Sequence, residues 1–288
     1  RGDGRAAGAG DGGRGAAAEG GGGAGEREGA AAGGERRPAG GGGAASHLGN
    51  VATAYSSVIG GGQKNSAFGR LSVISGGRFN KALALHSFVG AGEENWLDAS
   101  SYHSVIAGGS RNQAFAEKCF IGGGSSNSVT GKFSTIAGGA NNIAALGSAI
   151  GGGWKNNASG SASTISGGQS NSAGGHFSAV GGGLSNVAGI NTIATAAADY
   201  VTVSGGFRNN AQGNVSFIGG GRTNTNSAAY GVVGGGLGNS IPSNADYAVA
   251  VGGLYNSATG FGSFVGGGGS GRRPDNDDDD DTDDTLSG

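Results

Sequence analysis

Methionine is missing from all 288 residues, the first included, so the sequence reads as a fragment of a longer chain. Cysteine occurs once, at Cys119, which excludes a disulfide framework and leaves the redox compartment unreadable. Proline occurs three times, and glycine is not spaced at every third position, so collagen is excluded. No apolar run approaches the roughly 18 residues of a membrane helix, and no signal-peptide core is visible. Any membrane contact would then run through regions outside this fragment. Histidine is scarce as well, and His47, His86, His103 and His176 do not combine with Cys119 or a carboxylate into a nucleophile, base and orienter. The chain is therefore expected to be non-enzymatic, with no cofactor and no metal site.

Charge is sparse and unevenly placed. Residues 1–47 hold six basic and six acidic residues, residues 48–271 hold ten and six, and the tail from Arg272 holds two arginines and eight aspartates. The middle is close to neutral with scattered charges, so no nucleic-acid footprint is expected. Residues 1–46 are Gly, Ala, Arg and Glu with almost no large apolar side chain, and such a segment cannot bury enough surface to offset its ordering entropy. Disorder is expected there and in the acidic tail, residues 272–288, where like charges repel. The repeat domain is expected to span 47–271.

What the chain does have is glycine, 70 residues of it, in clusters that recur with a short period. The unit is shown by Ser57-Val58-Ile59-Gly60-Gly61-Gly62-Gln63-Lys64-Asn65-Ser66-Ala67. Its template is Ser, apolar, Ile/Val, small, Gly, Gly, two variable residues, Asn, variable, Ala, then a spacer. The ninth-place asparagine recurs at Asn50, Asn65, Asn80, Asn95, Asn112, Asn127, Asn142, Asn156, Asn171, Asn186, Asn209, Asn224, Asn239 and Asn256. Successive spacings are 15, 15, 15, 17, 15, 15, 14, 15, 15, 23, 15, 15 and 17. A period this short means a solenoid, held by contacts between neighbouring units.

Each unit reads as extended chain. Two or three glycines in fifteen residues do not permit a helical hairpin, since Gly costs about 1 kcal/mol in a helix interior relative to Ala. The opening places take strand formers. The Gly pair supplies positive φ for a turn, and Asn is expected to tolerate the left-handed region and to bond backbone at the corner between coils. Each repeat is then one coil of an all-β roll, about 14 coils stacked roughly 4.8 Å apart.

The third-place column, from Ile59 and Ile74 to Val251 and Val265, is expected to face inward, and the mostly alanine eleventh place likewise. The second-place row should face out. It runs Val58, Val73, Phe88, Val105, Phe120, Thr135, Ala149, Thr164, Ala179, Thr202, Phe217, Val232, Ala250 and Phe264. Strands apolar on both faces are usually buried on both, so this row needs a partner, and a homotrimer packed on Val58, Val73, Phe88, Val105, Phe120, Phe217, Val232 and Phe264 is expected. Three places lengthen the period: around Trp96, between Asn186 and Asn209, and near Pro242. Such insertions map to loops and often to a binding face, which makes Trp96, Asn191, Thr192, Asp199, Tyr200 and Pro242 candidate binding residues. The corner before each opening serine takes Tyr55, His86, Tyr102, His103, Phe133, Phe177, Tyr200 and Tyr230, read as a packing slot.

Strings such as Ser57-Val58-Ile59-Gly60-Gly61-Gly62, Ser148-Ala149-Ile150-Gly151 and Asn157-Ala158-Ser159-Gly160 resemble the head repeats of YadA-type trimeric autotransporter adhesins, over roughly residues 48–268. The resemblance implies a left-handed parallel β-roll, three chains side by side, display on a cell surface, and binding of extracellular matrix, glycan or other cells. The heptad stalk and membrane anchor of that family are missing from the sequence. The alternatives are a structural rod of a fibre, spike or matrix protein, and more remotely an ice-binding solenoid.

Overall fold

The computed structural model describes residues 49–190 and 198–269. The segments 1–46 and 272–288 lie outside the described residues, as do Asn191 and Thr192. Among the described residues the regular structure is 27 strands of two residues each, with no helix. They form two sheets. The larger, of 14 strands, collects the second- and third-place residues from Val58–Ile59 to Phe264–Val265 and is called here the Ile sheet. The other, of 13 strands, collects the tenth- and eleventh-place residues from Val51–Ala52 to Ser240–Ile241 and is called the Ala sheet. Every pairing is parallel and joins equivalent places of neighbouring coils, as in Val73↔Phe88 with Ile74↔Val89. A third ladder of single bridges links the seventh places, Gln63↔Arg78↔Glu93 and onward to Leu237↔Leu254. The fold is a parallel β-solenoid of about 14 turns.

The core is one residue deep from each side. Ile74, Val89, Ile106, Ile121 and their equivalents meet Ala67, Ala82, Ala114 and Ala144 across the interior. A large side chain on one wall leaves room only for a small one on the other, because interiors are close-packed. Where the alanine is replaced, as by Leu97, Val129 and Ile241, the newcomer is still fully buried. The opening serine turns inward and closes the corner: Ser57 Oγ donates to Ala54 O at 2.8 Å and Ser87 Oγ to Ala84 O at 2.7 Å. Cys119 takes the serine's place and donates its thiol to Gly131 O at 3.2 Å. Burial pushes its thiol pKa up, so it stays protonated and inert.

Two residues per coil adopt the left-handed conformation without being glycine or the ladder asparagine. They are the eighth place, for example Lys64 at φ 53° and Phe79 at φ 59°, and the residue before the opening serine, for example Leu71 at φ 57°. The reason lies in the hydrogen bonds. Strand amides donate to the next coil, as Val58 N does to Ser72 O at 2.9 Å, whereas the left-handed residues donate to the previous one: Phe79 N to Gln63 O at 3.0 Å and Leu71 N to Tyr55 O at 2.9 Å. Turning the amide round holds the corner from both sides, which offsets the roughly 1–2 kcal/mol that the left-handed region costs a residue with a Cβ.

The asparagines themselves are not left-handed and do not face solvent; from Asn65 to Asn239 the column is buried. Asn80 is representative. Its backbone N–H and its Nδ2 both donate to Asn65 Oδ1, at 3.0 and 3.2 Å, and Nδ2 also reaches Gly76 O at 3.0 Å and Gly92 O at 2.8 Å. One amide thus spans three coils. The ladder crosses the three lengthened coils unbroken: Asn112 N reaches Asn95 Oδ1 at 3.1 Å, Asn209 N reaches Asn186 Oδ1 at 3.0 Å, and Asn256 N reaches Asn239 Oδ1 at 2.9 Å.

The structure corrects the register of one coil. Val232 pairs with Val249 and Val233 with Ala250, so Ala250 points inward and Val251 lies outside the strand, exposed. The expected order was the reverse. Tyr247-Ala248-Val249-Ala250-Val251 alternates apolar residues in both parities, and only the Asn256 anchor decides between them.

Candidate functional site

Three features of the surface could carry function: the outward row of the Ile sheet, the corner before the opening serine, and the edge formed by places seven and eight. The outward row is apolar and open. Phe120 is 42% exposed and Phe264 70%, and Val58, Phe88 and Phe217 are also exposed, while Val73, Val105 and Val232 are half-buried between their neighbours. Thr135, Ala149, Thr164, Ala179 and Thr202 make the middle of the row smaller and more polar.

All three insertions fall at one corner, between the Ala sheet and the opening serine. Trp96 is not in a loop: it lies on the strand Trp96–Leu97, half-buried, with its ring edge-on to Phe115 at 5.5 Å between centroids. The added residues follow it, where Ser100 Oγ donates to Asp98 Oδ2 at 2.9 Å and holds that carboxyl below its ordinary pKa. Pro242 follows the strand Ser240–Ile241 and opens a short excursion in which Ser243 and Asn244 are exposed and Ala245 returns to the core. Asp199 and Tyr200 belong to the regular corner and not to a protrusion. Asp199 Oδ1 accepts the His176 amide at 3.0 Å, and the Tyr200 ring stacks on Phe177 at 5.2 Å with an interplanar angle of 8°.

Removing residues 190–197 leaves Gly189, Ala198, Asp199 and Tyr200 to join Ala188 to Val201, as four residues join Ala82 to Ser87. The trimmed protein is expected to stay folded with stability changed by no more than about 1 kcal/mol, since loop length is thermodynamically cheap. Chemical denaturation of the two proteins checks this, and collapse on trimming would show the segment to be part of the core.

The aromatic corner is a packing slot on the outside of the solenoid, where the rings pack on one another. Tyr200 is 57% exposed, and Tyr55, Tyr102, Phe133, Phe177 and Tyr230 are exposed as well. Their packing is coil to coil: Tyr230 on Tyr247 at 4.9 Å and 2°, His86 against His103 at 4.9 Å.

The edge at places seven and eight is not legible in the sequence as long as both places count as variable. It carries Lys64, Arg78, Arg111, Lys155, Arg208 and Arg222 against Glu93 and Glu94, and the remaining charges of the solenoid are four of each sign. Its cations lie over aromatic faces: Lys155 over Trp154 at 4.1 Å, Arg208 over Phe207 at 4.9 Å, Arg222 over the same ring at 5.4 Å. Arg78 and Arg111 are tied to Glu93 and Glu94, each at 2.7 Å, pairs too exposed to add much stability. The signal is present as Phe79, Trp154, Phe207 and Tyr255 alternating with basic residues at fixed places of the period.

No family model matches this chain, and no curated protein matches it. The β-solenoid rests on its own hydrogen bonds, and the likeness to adhesin heads rests on the repeat residues alone.

Proposed function

We propose that this chain is a non-enzymatic adhesion module, displayed on a cell surface, whose solenoid forms a homotrimer through the Ile sheet and binds extracellular matrix protein or glycan along its length. The observation that carries the reading is the outward row of Phe and Val on a sheet whose other face is already core. A second and third copy of the same solenoid present the same rise per coil, so the rows stay in register over their whole length. A closed three-fold arrangement covers the row in every copy at once. The resemblance of the repeat to adhesin heads supports the trimer, the surface location and the matrix ligand.

The full chain is then expected to sediment as a trimer at micromolar concentration. Phe120→Asp together with Phe217→Asp places like charges across the interface, where they cost several kcal/mol, and is expected to dissociate it. A stable folded monomer of the wild-type chain by sedimentation equilibrium would overturn the trimer. Binding to an array of matrix proteins and glycans tests the adhesive role. The unbroken asparagine ladder through all three insertions favours a second reading as a structural rod, and an intact trimer that binds nothing on the array would decide for it.

A further inference from the structure

The basic edge and the acidic tail have complementary charge, and the last described residues lie on that same edge. The last described residues continue the regular path: Leu254 N donates to Gly268 O at 2.9 Å, and Gly269 sits on Leu254 at the seventh place. The chain therefore leaves the solenoid at the seventh-place edge itself. Back along that edge the bridged rungs are Leu254, Leu237, Arg222 and Phe207. At about 4.8 Å per coil, Arg222 lies roughly 15 Å from the exit and Arg208 roughly 20 Å. Asp275 is six residues beyond Gly269, and six residues span at most about 20 Å. The run Asp277 to Asp281 begins two residues further on, after Asn276.

Arg208 and Arg222 have no carboxylate partner among the described residues. Both are exposed and both lie over the Phe207 ring, and the planar guanidinium matches the geometry of a carboxylate. Between the exit and these arginines the edge is neutral, so nothing there competes for the tail or repels Arg272 and Arg273. Lys155 over Trp154 extends the same row further from the exit, within reach of the last aspartates.

We propose that the edge formed by Arg208, Arg222 and Lys155 is a polyanion-binding surface whose occupant is the chain's own acidic segment, Asp275 to Asp284. A linear acidic ligand from outside would have to displace this segment, so the tail acts as a built-in competitor.

The test is cleavage of the full chain by an endoprotease that cuts before aspartate. Asp3 and Asp11, in the N-terminal segment, serve as internal reference sites. At about 10 mM salt, where screening reaches only beyond roughly 30 Å, the tail sites are expected to be cut several-fold more slowly relative to Asp11 than in R208E/R222E. The variant changes two exposed side chains, and circular dichroism and thermal melting verify that it folds like wild type. Raising salt to about 1 M, where the screening length is roughly 3 Å, is expected to bring the wild type to the variant's ratio. Equal ratios in wild type and variant at low salt would overturn the proposal. Protection that rises with protein concentration would overturn the intrachain contact by assigning the tail to a neighbouring molecule.

Discussion

Gly139→Ala is expected to destabilise the solenoid by on the order of 3 kcal/mol or more, while Gly138→Ala, one residue earlier, is expected to be neutral or stabilising by up to about 1 kcal/mol. The two glycines are adjacent in sequence and opposite in physics. Gly139 sits at φ 84°, and a Cβ there would run into the Gly153 carbonyl of the next coil and come within 2.8 Å of Asn142 Nδ2. Neither neighbour can yield, because one is ladder backbone and the other is the amide that locks three coils together. A Cβ on Gly138 meets nothing within 4 Å, and its backbone is not left-handed. Gly138→Ala therefore acts mainly by reducing the freedom of the unfolded chain. Urea or thermal unfolding of the pair decides the matter. Similar losses for both substitutions would mean that the close approach of coils at the sixth place does not limit stability.

The second large effect concerns the ladder. Asn142→Ala is expected to cost on the order of 3 kcal/mol, because truncation leaves two groups unpaired, Gly138 O and the buried Asn156 N–H, and not one. Asn142 Nδ2 donates to Asn127 Oδ1 at 3.1 Å, Gly138 O at 3.1 Å and Gly153 O at 3.0 Å, and its Oδ1 accepts the Asn156 amide at 3.0 Å. Gly153 O retains the Ala140 amide at 2.8 Å, but the buried Asn156 N–H has no other acceptor in reach. The exposed neighbour Asn141 provides the contrast. It stands at the eighth place with φ 56°, a backbone that glycine adopts freely, so Asn141→Gly is expected to stay within about 1 kcal/mol of wild type. Unfolding curves for the two variants separate a ladder role from a merely polar one. If Asn142→Ala melts with the wild type, the ladder is dispensable.

Both substitutions act on the same joint. The sixth-place glycine is bare so that the ninth-place amide can reach past it, and the amide in turn fixes the carbonyls that the bare glycines expose. That coupling explains why the two residues recur together. It also explains why all three insertions fall at the opposite corner, which the ladder does not cross.

The repeat period, the solenoid, and the inward Ile and Ala columns were all legible in the order of residues. Those features repeat because each coil stacks on a copy of itself, so a residue required once is required at the same place in every coil. Asn50 to Asn256 and the glycines before them could be picked out for that reason. Other features arise only from contacts between coils. The left-handed eighth place accepts Lys64, Phe79, Glu94 or Ser126 alike, because the constraint falls on the backbone amide and leaves no trace in the side chain. The register at Val249 was hidden by an alternation apolar in both parities. Tyr200 and Phe177 were legible as a corner packing slot, but a stacked ring and a buried ring have the same composition, so what they pack against was not. Only the path of the corner shows that these rings stack on each other outside the core. The charge row at places seven and eight is present in the sequence at fixed places of the period but stands out as one edge only once the coils are set one above another, since Phe207 and Arg222 are separated in the chain and neighbours across a bridge.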